Sequence, residues 1–135
     1  MRVYQRLKQK RASIPDDLLT SEEWEQVLHA GLLHDILEDT PYTTDDLRAF
    51  GYSDAVIRRV ETVTRRESER LTYQEKIRKI AGTGDIGAIL IKLADNEDNS
   101  DPQRVRALSD TQALVQRYEE SKRTLRSALK QLLTQ

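Results

Sequence analysis

The stretch IGAILIKLAD, Ile86 to Asp95, is the most apolar run in the chain, and whether it forms a strand or a helix decides the fold. By composition alone, Ile86 to Leu93 fits a buried strand as well as a buried helix segment. The surroundings argue for the helix. Gly occurs five times and Pro three in 135 residues, apolar residues elsewhere mostly recur at spacings of three and four, and no second segment alternates with period two. A lone strand would have no partner, so a central buried helix is expected, in an all-α, single-domain bundle.

Working outward, Gly82-Thr83-Gly84-Asp85 reads as the turn before this run. A helix is expected over about Arg2 to Arg11, with Val3, Leu7 and Tyr4 on one side. Thr20 and Glu23 form a capping-box pattern, and Trp24, Val27, Leu28, Gly31, Leu32 and Asp35 follow at helical spacing toward HDILEDT, where Pro41 stops the helix. Thr43 or Thr44 with Asp46 starts a short helix ending at Gly51. Ser53 caps another carrying Val56, Ile57, Val60 and Val63, and the polar TRRESERL leads into TYQEKIRKIAG. After NEDNSDP, a last helix from about Arg104 or Asp110 to Leu133 carries Leu108, Leu114, Tyr118, Leu125, Leu129 and Leu132.

With 22 Lys+Arg against 23 Asp+Glu, the chain has no bulk attraction for nucleic acid or an anionic membrane. Cysteine is absent, which excludes disulfides, thiolate metal sites and a cysteine nucleophile. No apolar run approaches the ~18 residues of a membrane span, and no signal peptide is visible, so a soluble cytoplasmic protein is expected. The charges are unevenly placed. Residues 1–11 hold Arg2, Arg6, Lys8, Lys10 and Arg11 with no acid, whereas Ala12 to Leu47 holds ten acids and no Lys or Arg.

Within that acidic half, LLHDILEDT puts His34, Asp35, Glu38 and Asp39 within six positions. On a helix, spacings of three and four stack side chains on one face. Carboxylates crowded at a helix C-terminus repel one another and the dipole, so a bound divalent cation is one way to offset the cost, and scattered solvated acids are the other reading. A second constellation, KLADNEDN from Lys92 to Asn99, is expected to present Asp95 at the tip of the apolar helix before a polar loop.

AGLLHDILEDT (Ala30 to Thr40), TTDDLRAFG (Thr43 to Gly51) and IKLADNEDN (Ile91 to Asn99) together resemble the HD-domain phosphohydrolases, most closely the RelA/SpoT-type (p)ppGpp hydrolase domains and their small stand-alone relatives. The resemblance covers roughly Leu28 to Leu129. It implies an all-helical bundle in which His34, Asp35 and Asp95 ligate a divalent metal, usually manganese, with Fe, Zn or Mg as alternatives. It also implies that Glu38 and Asp39 assist attack by water, and that Asn99, Lys92 and, on spacing alone, Tyr118 contact the substrate. Arg58, Arg59, Arg65 and Arg66 are further candidate phosphate partners, with solvated helix faces as the other reading of each. The implied substrate is a nucleotide phosphate, with (p)ppGpp cleaved at its 3′-pyrophosphate; a homodimer is left open.

The family pattern also requires a histidine on a helix N-terminal to the HD pair. The only histidines are His29 and His34, and His29, one turn before His34, is a poor substitute. MRVYQRLKQ resembles the segment directly after the missing histidine, so the first helix and that ligand are expected upstream of Met1, the alternative being natural loss. The chain as it stands is then expected to hold metal weakly or not at all. The alternative function is a catalytically inactive nucleotide-sensing or protein-binding module.

Overall fold

A computed structural model describes residues 2–102 and 111–135; the expected Arg104, Leu108 and Asp110 lie outside the described residues. The described residues are helical with no strand. The helices are α1 (Arg2–Lys10), α2 (Ser21–Leu32), α3 (Ile36–Asp39), α4 (Thr44–Ala49), α5 (Asp54–Val63), α6 (Tyr73–Ala81), α7 (Ile86–Asn99) and α8 (Thr111–Leu133). Short 3-10 turns occupy Arg11–Ser13 and Glu67–Glu69.

The deciding stretch is a helix. It is α7, started by Asp85, whose side chain accepts from the Ala88 N–H, and packed against α1, α2, α5, α6 and α8. Because neighbours cover every side of it, Ala88, Ile89, Leu90, Ile91, Leu93 and Ala94 are all buried, which is why its sequence shows continuous hydrophobicity and no amphipathic stripe. Contrary to expectation, α7 does not end at Asp95 but runs one further turn to Asn99. Asn96 there is fully buried: its amide donates to the Lys92 carbonyl at 2.9 Å and its Oδ1 accepts from Tyr73 at 3.1 Å. The polar residues that read as a loop are a helix turn satisfied from inside the bundle.

The expected caps form. Thr20 with Glu23 and Thr43 with Asp46 make reciprocal capping boxes, and Ser53 accepts from the Val56 N–H. Thr72 with Glu75 adds a third box, at the start of α6. The basic N-terminal run also finds a role. Arg2, Arg6 and Lys10, four apart on one face of α1, face Asp98, Asp101 and Glu97 at 3.7, 3.6 and 2.7 Å, fastening α1 along the C-terminal end of α7.

A third cluster gives the polar TRRESERL segment its shape. The 3-10 turn brings Glu69 onto the Lys76 ammonium with both oxygens at 3.0 Å and onto Lys79 at 2.7 Å. Hydrogen bonding from Lys79, outweighing the cost of burial and helped by Lys76, pulls the Glu69 carboxyl down to about 2. A depressed carboxyl pKa stabilises the fold fully above the ordinary value of 4.5 and loses that contribution as pH falls from there toward 2. Glu69→Gln is therefore expected to cost about 2 kcal/mol at pH 7, less than the ~3–5 of a fully buried pair, and to flatten the fall in stability below pH 4.5. Urea unfolding of both proteins at pH 7 and pH 3 checks this.

Candidate metal and phosphate site

The helix predicted to run through HDILEDT is broken within it. α2 ends at Leu32, residues 33–35 form a turn, and α3 resumes at Ile36. His34 sits in this break. Its Nδ1 lies 2.7 Å from the Gly31 carbonyl, the group that in an unbroken helix would accept the Asp35 N–H, while the Ile36 N–H drops back to Leu33 O at 2.9 Å. That hydrogen bond orients the ring and turns Nε2 toward the carboxylates.

Nε2 lies 3.0 Å from Asp35 Oδ2 and 3.4 Å from Asp95 Oδ1, so residues sixty positions apart in sequence meet where the turn after α2 faces α7. The His34 and Asp95 side chains are 16% and 12% exposed, Asp35 54%, so the group has a dry inner side and an open outer one. Burial opposes charge on His34, but hydrogen bonds to Asp35 and Asp95 outweigh it and hold the ring's pKa at about 10. Burial would also raise the Asp95 carboxyl, yet His34 and Lys92 hold it below its ordinary value. Lys92, buried and 3.1 Å from Asp95 Oδ2, keeps its proton because Asp95 and Tyr73 offset desolvation. The arrangement favours positive charge between the two carboxylates.

One ligand atom from each of His34, Asp35 and Asp95 lies within 4.8 Å of the others. Donors held at about 2.0–2.2 Å around a single ion stand roughly 3 to 4.4 Å apart, depending on the angle between them, so the three atoms must draw together to close on an ion. One imidazole nitrogen and two carboxylate oxygens suit a borderline-to-hard divalent ion, and the three residues fit one.

These groups line a cavity of about 430 Å³. Of the residues expected from sequence, His34, Asp35, Glu38, Asp95, Asn99, Lys92 and Tyr118 line it; Asp39, exposed one position on, does not. Asn99 donates to Asp95 Oδ1 at 3.2 Å, so it braces the carboxylate. Glu38 does not stack with the histidine as on a continuous helix: its Oε1 accepts the Arg65 backbone N–H. None of Arg58, Arg59, Arg65 and Arg66 lines this cavity. Arg59 is spent on Asp85 at 3.3 Å and Gln26 at 3.1 Å, and the Arg65 side chain donates to the Leu71 carbonyl. His29 packs edge-on against Tyr52, away from the site.

Four lining residues had not been anticipated: Arg2, Val3, Tyr73 and Asp98. Arg2 and Val3, from the first turn of α1, border the cavity. Tyr73 meets Tyr118 edge-to-face at 6.3 Å, with the Lys92 ammonium and the Arg117 guanidinium 5.5 and 4.7 Å from its ring centre. Its only advance signal was an aromatic residue directly after a capping threonine.

With the site in view, its likeness to a known enzyme is informative. The chain is similar to a pyrophosphohydrolase. Over 82 residues it is 39% identical to the guanosine-3′,5′-bis(diphosphate) 3′-pyrophosphohydrolase of Haemophilus influenzae, a match covering 55% of this chain and 12% of that protein. The chain thus spans about an eighth of the length of the curated relative it matches. No family model matches the chain, and no solved structure matches it. No helix among the described residues is long and apolar enough to cross a membrane.

Proposed function

We propose that the cavity is the site of a metal-dependent phosphohydrolase of the HD type, acting on a nucleotide phosphate of the (p)ppGpp class at its 3′-pyrophosphate. The observation that carries this is the meeting of His34, Asp35 and Asp95 within 4.8 Å at a cavity that also presents Lys92 and Asn99. A divalent metal, manganese by resemblance, would be held by those three residues and would lower the pKa of a bound water toward ~7.

The chain's own residues supply the rest. Glu38, fixed through Oε1 by Arg65, has Oε2 left to take the proton of the attacking water, a role typically worth ~10²–10⁴-fold. Asp39 beside it lies off the cavity and takes no part in this step. Lys92 and Asn99 hold Asp95 in position and offer donors to phosphate oxygens. Tyr118, seated against Tyr73, gives the nucleoside an apolar wall. A histidine preceding α1, as the resemblance implies, would enter at the edge marked by Arg2 and Val3.

Mn²⁺ is expected to raise the melting temperature, because an ion bound only by the folded state stabilises it. The loaded protein, extended upstream to include the implied histidine, is expected to release pyrophosphate from (p)ppGpp. Metal binding without turnover of any nucleotide phosphate would sink the hydrolase reading. The second reading, an inactive nucleotide-sensing module, draws support from the charged His34, which already balances the two carboxylates. It predicts metal-independent (p)ppGpp binding without hydrolysis.

A further inference from the structure

A second cavity, of about 380 Å³, lies between α5, the Glu67–Glu69 turn and α6, and shares no lining residue with the His34 site. Its walls carry four cations, Arg58, Arg66, Lys76 and Lys79, against two acids, Glu61 and Glu69. Lys76 is the informative one, since its side chain is only 6% exposed. A buried ammonium is retained only where negative charge answers it. Here a single carboxylate, Glu69, answers both Lys76 and Lys79. Among the described residues, no carboxylate forms an ion pair with the Arg58 or Arg66 guanidinium.

The remaining polar lining narrows the ligand. The hydroxyls of Thr62, Thr64 and Thr83 donate to the carbonyls of Arg58, Val60 and Ile80, so none is left to donate to a sugar or a neutral ligand. What the cavity offers is cationic donors, two of them planar guanidinium forks matched to phosphate oxygens. We infer that this cavity is a second binding site, separate from the metal site, for a compact polyanion of the phosphate or pyrophosphate class. The inference does not depend on the proposed hydrolase activity.

The test uses the purified chain without added divalent metal and follows thermal unfolding with sodium pyrophosphate against sodium chloride at matched ionic strength, which removes general screening. Pyrophosphate is expected to raise the melting temperature. Arg58→Gln, at an exposed position, is expected to weaken its apparent Kd at least tenfold while leaving unliganded melting nearly unchanged; His34→Ala is expected to leave the Kd as it was. Since Lys76→Met risks misfolding, Arg58→Gln carries the decision. No shift beyond chloride, a shift that survives Arg58→Gln, or one lost in His34→Ala would each overturn the assignment. GDP binding ten times more tightly than pyrophosphate would overturn the compact-anion part of it.

Discussion

In the protein extended upstream to include the implied histidine, Asp95→Asn is expected to abolish measurable Mn²⁺ binding and to lower hydrolysis by more than ~100-fold, because even groups that only orient metal ligands cost ~10–100-fold when removed. The same substitution should destabilise the metal-free protein, for reasons visible in its hydrogen bonds. Asp95 Oδ1 faces His34 and accepts from Asn99, while Oδ2 accepts from Lys92. An asparagine keeps one acceptor and points an NH₂ at either the His34 side or Lys92, setting donor against donor at a buried position. Removing the charge also leaves Lys92 buried without its carboxylate, which together should cost about 3 kcal/mol. Titration calorimetry with Mn²⁺ and urea unfolding of the apo protein separate the two effects. Asp39→Asn, off the cavity, is the control and should leave metal binding unchanged. An Asp95→Asn protein with unaltered Mn²⁺ affinity would remove Asp95 from the ligand set.

Legibility in the sequence depends on how local each feature is. The caps at Thr20, Thr43 and Ser53 are contacts over three residues, so type and spacing reveal them. The pairing of HD with Asp95 spans sixty positions but is marked by two motifs in order. The break at residues 33–35 had no such mark. It contains neither Gly nor Pro, and the His34 side chain lies against the Gly31 carbonyl that a continued helix would use. The direction in which Arg58, Arg59, Arg65 and Arg66 point was hidden for a similar reason. Charge type is readable from sequence, but the direction a charge faces depends on which carboxylate meets it, and Arg59 meets Asp85 only after α5 and α7 pack. Tyr73 and Asn96 likewise find each other only in the bundle.

Leu7 and Gly31 are expected to show strong packing coupling. Leu7 is fully buried, and a Cβ built on Gly31 would stand 2.4 Å from its Cδ1, so glycine is what lets α1 lie this close to α2. Leu7→Ala should cost about 3–4 kcal/mol for lost burial plus the cavity left behind. Gly31→Ala should cost about 2 kcal/mol by overpacking, since neighbouring core side chains limit where the Leu7 methyl can go. In the double variant each change answers the other: the new methyl enters the space that the leucine vacates. The combined loss should therefore fall short of the sum by about 1–2 kcal/mol, within the range seen for contacting residues, and urea unfolding of the four proteins measures it. The functional consequence comes from where α1 begins. Its first turn brings Arg2 and Val3 to the rim of the metal cavity, and the next residue of the Arg2, Arg6, Lys10 face reaches Asp101. Gly31→Ala pushes α1 outward and carries that rim with it, whereas Leu7→Ala lets it settle inward. Mn²⁺ affinity should accordingly weaken in Gly31→Ala and recover in the double variant. Strict additivity in both stability and metal affinity would show that α1 moves independently of α2.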